Sequence, residues 1–203
     1  QTSGDATSGM QQMQALLQCH GDQFSAAQRA EINASLHQLR LMITPEQEAP
    51  PDIARSQQLR QQVLAIMAGN RDFSDLDLSG ADLSQLDLSG ANFSRTLLTQ
   101  ARLQHTRLCA ARFEHTSLAA AQISDCDFSG AQFISCNWRQ AQFTDCRFAR
   151  AHLRDMSWQE AQFDRVCFQQ ATLENLLLPE LRLNHADFRA ATLKKVVLQC
   201  CQL

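Results

Sequence analysis

Eight cysteines, six histidines and a cluster of aspartates are the residues of this 203-residue chain whose types suit chemistry. Cysteines in even number suggest a disulfide framework or thiolate ligands for zinc, and histidine suits proton transfer near neutral pH. The aspartates Asp72, Asp75, Asp77, Asp82 and Asp87 suggest a calcium site or a surface that imitates nucleic-acid charge. Spacing removes most of these readings. No phosphate loop, dinucleotide fingerprint, nucleophile elbow or zinc-type Cys/His spacing is present. His105, His115, His152 and His185 stand singly on places that the chain's periodicity turns outward. Cys126, Cys136, Cys146 and Cys201 recur at a place that Thr or Val fills elsewhere, where a buried thiol serves as a small hydrophobe. Cys126 and Cys146 would meet in adjacent coils, close enough for a bridge by distance alone. We therefore expect no enzyme, no metal, no cofactor, and the reducing interior of a bacterial cytoplasm.

The element that positions these residues is a strict period of five. From Phe73 to Leu203 every fifth residue is large and apolar, and the series takes ten of the eleven Phe and both Trp. Strands repeat every two residues and helices every 3.6, so this is neither. Two residues before each of these positions lies a second inward place, filled by Ala at 81, 91, 101, 111, 121, 131, 141, 151, 161 and 171. Between the Ala places stand Leu86, Thr96, Thr106, Thr116, Cys126, Cys136, Cys146, Met156 and Val166. Each pentad is thus a short extended piece with two inward side chains, then a bend. A three-sided coil would set Ala over bulky residues in alternate turns, whereas a four-sided coil of twenty residues keeps like above like. Four sides also stack Trp138 on Trp158 and run the inward residues Phe93, Phe113, Phe133, Phe143, Phe148, Phe163 and Phe168 into aromatic columns.

Blocks such as Ala81-Asp82-Leu83-Ser84-Gln85, Leu86-Asp87-Leu88-Ser89-Gly90 and Ala91-Asn92-Phe93-Ser94-Arg95 resemble the pentapeptide-repeat family, over residues 71–203. The resemblance implies an all-β solenoid, a right-handed quadrilateral β-helix. Some members of that family protect DNA gyrase and topoisomerase IV as strongly acidic, DNA-shaped rods. From residue 71 onward this chain has fifteen acidic and fourteen basic residues, which suits that role poorly and argues against direct nucleic-acid binding.

Residues 1–10 read as a flexible linker and residues 11–70 as a helical segment. Helices are expected at 12–19 and from Ser25 to Met42; a third, capped by Asp52 after the Pro50-Pro51 break, ends near Ala68. Ile53, Leu59, Val63, Ile66 and Met67 give the third helix an apolar face. It should cap the first coil against Phe73 and Leu78. Leu203 falls on an inward place with no cap beyond it, which suggests that the natural chain continues or that this end associates with another copy or a partner. The order of linker, helices, proline break and repeats is similar to pentapeptide-repeat tails in type VI secretion clusters. That similarity implies a scaffold that handles or loads effectors; a gyrase-binding protein and a secreted effector are the alternatives. No apolar run is long enough to span a membrane.

One departure from the beat resembles a contact site. The Ala alternation fails at Leu181, and Leu177 and Val197, twenty apart, both occupy an outward place, flanked by Pro179 and Cys200. Either these four form an exposed apolar surface for a protein partner, or a kink caused by Pro179 tucks Leu177 inward.

Overall fold

The computed structural model describes Ser35, residues 53–179 and residues 182–199. Residues 1–49 and 50–203 form two compact units, and every strand among the described residues belongs to the second. The linker, the helices expected before Ile53, the Asp52 cap, Cys200 and Cys201 lie outside the described residues.

A parallel β-solenoid with a twenty-residue coil forms the second unit. Strands β1 (Arg102–Gln104), β3 (Gln122–Ser124), β5 (Gln142–Thr144), β7 (Gln162–Asp164) and β9 (Arg182–Asn184) stack in one parallel sheet. Strands β2 (Arg112–Glu114), β4 (Gln132–Ile134), β6 (His152–Arg154), β8 (Thr172–Pro179) and β10 (Thr192–Gln199) stack in the other. Partners are twenty residues apart, as in Leu103↔Ile123 and Phe113↔Phe133. Four pentads therefore make one coil. Not every side is a strand, however. The other two sides are held mainly by single bridges such as Leu97↔Ser117 and Arg107↔Asp127, and the first coil by bridges alone.

The inward series is buried as its spacing requires, from Phe73 through Phe168. Ring centroids stack at 4.8 Å for Phe73–Phe93, 5.1 Å for Phe93–Phe113 and 4.5 Å for Phe113–Phe133. Trp138 lies 5.2 Å from Trp158, and Phe143 5.0 Å from Phe163. Such offset stacks fill a narrow interior at crystal-like density.

The Ala alternation has a backbone cause. At every Ala place the corner closes as a tight turn, the Ala N–H donating to the carbonyl three residues earlier (Ala101 to Leu98, 3.1 Å; Ala141 to Trp138, 3.0 Å). At the intervening corners that carry Thr or Cys, from Thr96 to Cys146, the side chain itself reaches a carbonyl of the coil below. Thr106 Oγ1 donates to the Leu83 carbonyl (3.0 Å) and Thr116 to Phe93 (2.6 Å). Cys126 and Cys136 Sγ take the same role toward Leu103 and Phe113 (both 3.3 Å). The last residue of each described pentad has a left-handed backbone, even Ala110 (φ 56°) and Ala120 (φ 53°). That conformation costs a non-glycine residue about 1 kcal/mol or more. The cost is offset where the corner N–H joins the ladder, as Ala120 does to the Arg139 carbonyl (2.8 Å).

Helix α1 (Ile53–Met67) caps the first coil. Leu59 and Val63 are buried, with Ile66 and Met67 half-buried against the same core. Ile53 is a correction: it is 76% exposed. At 100° per residue it sits about 120° around the helix from Leu59, off the buried stripe. The helix also supplies polar groups to the strand edge. Arg60 donates to the carbonyls of Asp82 (2.8 Å) and Ser84 (2.9 Å), and Ser56 Oγ accepts from the Asp82 N–H (3.1 Å). In higher coils those partners are backbone, as where Arg102 N–H meets the Ala81 carbonyl (2.9 Å).

Candidate interaction surface

The outward places form columns in which each residue stands over the one twenty before it. Stacked residues and helix α1 together give each aspartate of the cluster a partner. Asp75 receives Arg95 through two bonds (2.6 and 2.7 Å), Asp87 faces Arg107 at 3.8 Å, and Asp77 and Asp82 meet Arg55 and Arg60 at 3.4 and 3.9 Å. Asp72 accepts from Asn92 (2.9 Å). Several carboxylates also accept the N–H two residues on, as Asp72 and Asp87 do from Ser74 and Ser89 (both 3.1 Å). These serine bonds hold the Asp72 and Asp87 carboxyls below the usual carboxylate range. The cluster is turn chemistry joined to ion pairing.

The other chemical candidates separate as well. His105, His115, His152 and His185 are exposed on separate coils. Cys126, Cys136 and Cys146 are buried free thiols, and burial pushes Cys136 up to about 12, far from a reactive thiolate. Among the described residues no set of His, Cys, Asp and Glu is placed to hold a metal ion. A groove of about 260 Å³ lies between Gln132, His152 and Thr172 on one rim and Ile134, Arg154 and Glu174 on the other.

What remains is one column with an apolar top. It runs Asp77, Leu97, Ser117, Asn137, Ser157 by bridges, and the β8–β10 register places Val197 over Leu177. Lower down it is closed: Leu97 is 5% exposed and Ser117 is buried. Leu177 and Val197 are 58% and 52% exposed. The expected alternative, a kink that tucks Leu177 inward, does not occur. Strand β8 runs unbroken from Thr172 to Pro179, with Leu176 and Leu178 inside and Leu177 outside. Asp77 and Asn137 accept the N–H two residues on (3.1 and 3.0 Å) within turns. Leu177 offers no such acceptor and Pro179 has no N–H, and there the backbone continues as strand. Pro179 ends β8, its side chain outside the described set; Cys200 is outside it altogether. The core residues named from sequence, Phe93, Phe113, Phe133, Trp138, Phe143, Phe148, Trp158, Phe163 and Phe168, are all buried and contribute packing.

Comparison with known proteins gives three findings. A family profile described as "Pentapeptide repeats" matches in eight copies over residues 77–114, 126–157 and 141–178. No curated protein matches the sequence. Solved structures similar to it include full-length QnrB1, a plasmid-mediated fluoroquinolone resistance protein (18% identity, TM-score 0.45). That match covers 59% of this chain and 62% of QnrB1, less than two thirds of its length. A pentapeptide repeat protein of the Arabidopsis thaliana thylakoid lumen matches at 22% identity and TM-score 0.41, over 52% of this chain and 70% of the other. HetL, involved in heterocyst differentiation regulation in the cyanobacterium Nostoc sp. Strain PCC 7120, matches at 16% identity and TM-score 0.38 over 70% and 93%.

Proposed function

Because its repeat region belongs to the pentapeptide-repeat family, we propose that this chain is a non-enzymatic scaffold for protein–protein recognition. Its contact surface is the side of the solenoid that carries Leu177 and Val197. The observation that carries this reading is two apolar side chains, one above the other and both more than half exposed, on a column that is otherwise polar or closed. An exposed pair of that kind has a use at an interface and a solubility cost elsewhere. The finer reading is the C-terminal part of a bacterial type VI secretion adaptor that loads effectors in the cytoplasm. It is supported by the order of the proline break, α1 and the repeats. The gyrase reading is disfavoured because the first-coil aspartates already have partners, most of them arginines, and present little free negative charge.

Affinity purification of the full-length protein from its native host, with wild-type and Leu177→Asp baits side by side, tests the proposal. A partner held by the wild type and lost from the variant supports it. The same partners on both baits, or none on either, contradicts it. Leu177 is exposed, so the variant should melt with the wild type.

A further inference from the structure

The face that carries β2, β4, β6 and β8 is closed in its lower rungs and open above them. Each rung sets two outward side chains on either side of an inward central residue. In the lower rungs these two bond to each other. Asp72 accepts the Ser74 N–H (3.1 Å), Asn92 accepts the Ser94 hydroxyl (2.6 Å), and Arg112 bridges to Glu114 (2.6 Å). Register carries the same two columns upward through Gln132, His152 and Thr172 on one side and Ile134, Arg154 and Glu174 on the other. There the bonding across the rung stops, and the groove of about 260 Å³ begins. The side chains of Gln132, His152, Thr172 and Glu174 make no hydrogen bond or ion pair with another described residue. Arg154 faces Asp155 through its Nε (3.3 Å), which leaves the two terminal nitrogens of its guanidinium. Described rungs lie both below and above the groove, and Gln132, His152 and Arg154 are exposed, so it opens to solvent.

Three kinds of group follow one another up the groove. Ile134 gives the lowest rung an apolar wall, His152 and Arg154 give the middle rung donors, and Thr172 and Glu174 give the highest a hydroxyl and a carboxylate. Rungs are about 4.8 Å apart, so all three lie within reach of one small molecule. Size points the same way: at about 260 Å³ the groove falls below the usual range of ligand sites, about 300–1,000 Å³. Charge narrows the choice further. Arg154 and Glu174 balance, as do Asp155 beside the groove and Lys194 one rung above Glu174. A ligand with net charge would meet one favourable and one opposing group, whereas a zwitterion meets two favourable ones. We propose that the groove binds a free aliphatic α-amino acid. Its side chain lies on Ile134, its carboxylate between His152 and the terminal nitrogens of Arg154, and its ammonium against Glu174 and Thr172. This site is separate from the Leu177/Val197 surface and does not rest on the scaffold reading.

L-Leucine is the probe, titrated into the isotope-labelled full chain and read by NMR. The amides of Phe133, Leu153 and Leu173 and the His152 ring should shift saturably. Isocaproate, which lacks the ammonium, and isoamylamine, which lacks the carboxylate, should each bind at least about tenfold more weakly. Glu174→Gln should bring leucine down to the level of isocaproate, and Arg154→Ala should bring it down to that of isoamylamine. An amide spectrum unchanged outside the groove shows that each variant is folded. Absence of a saturable shift with leucine overturns the proposal. So do shifts confined to other rungs, equal binding of isocaproate or isoamylamine, or alanine binding as tightly as leucine. Leu177→Asp should bind leucine as the wild type does, so this proposal and the scaffold reading fail separately.

Discussion

Thr106 and Cys126 show how one residue place can carry two jobs. Each fills a small inward volume, and each gives its hydrogen to a carbonyl of the coil below, Leu83 and Leu103 respectively. Periodicity reveals the first job; the second depends on which corner is open, and that is a backbone property. Replacing Thr106 with Val keeps the shape and removes the donor from a buried carbonyl. We expect a loss of about 1–3 kcal/mol in urea unfolding. Thr106→Cys, which mimics the next residue of the column, should cost less than about 1 kcal/mol. Equal losses in both would show that the hydroxyl carries no weight. The corners offer a test with the opposite sign. Ala120 holds φ 53°, so Ala120→Gly should raise stability by about 0.5–1 kcal/mol, seen as a higher melting midpoint. Carboxylates give the pH dependence. Asp72 and Asp87 are depressed by their serine bonds, Asp145 by the Arg165 hydrogen bond and Asp187 by Arg189. A depressed carboxylate stabilises the fold fully above its unfolded value, about 4, and progressively less as pH falls below it. The melting midpoint should therefore be level from pH 7 to about 5 and decline from about 4 downward, with no matching loss toward pH 8.

At the scale of elements, α1 takes the place of a missing coil. Its apolar stripe was legible from spacing, because Leu59, Val63 and Ile66 fall within about one face of a helix. Its polar role was not, since nothing in the sequence ties Arg60 to carbonyls more than twenty residues away. Ile53 was misplaced for a related reason: apolar composition marks a helix as amphipathic, but only phase assigns each residue to a face. Arg60→Ala should leave the Asp82 and Ser84 carbonyls to water and expose a strand edge. We expect a loss of about 1–3 kcal/mol together with faster aggregation on heating; an unchanged aggregation onset would mean that apolar contact alone caps the edge. The strands carry a similar lesson. The period of five fixed which residues face inward on all four sides. It did not show that regular strands would concentrate on two sides, because the inward spacing is the same on all four sides and carries no information on how far each ladder extends.

Across the second unit, twenty-residue stacking sorts nearly every side chain into packing or into columns of paired charges. That is why its core could be read residue by residue from sequence, down to Trp138 on Trp158. It is also why the functional surface could be read only as two alternatives. Whether Leu177 pointed in or out depended on the path of one strand past Pro179. Docking of a protein on the Leu177/Val197 side can be read by hydrogen–deuterium exchange of the full-length protein alone and with its captured partner. Exchange should slow at 176–178 and 196–198 on binding, with the aspartate-bearing first coil unchanged. Protection confined to the first coil or to α1, with 176–178 and 196–198 exchanging as in the free protein, would contradict it.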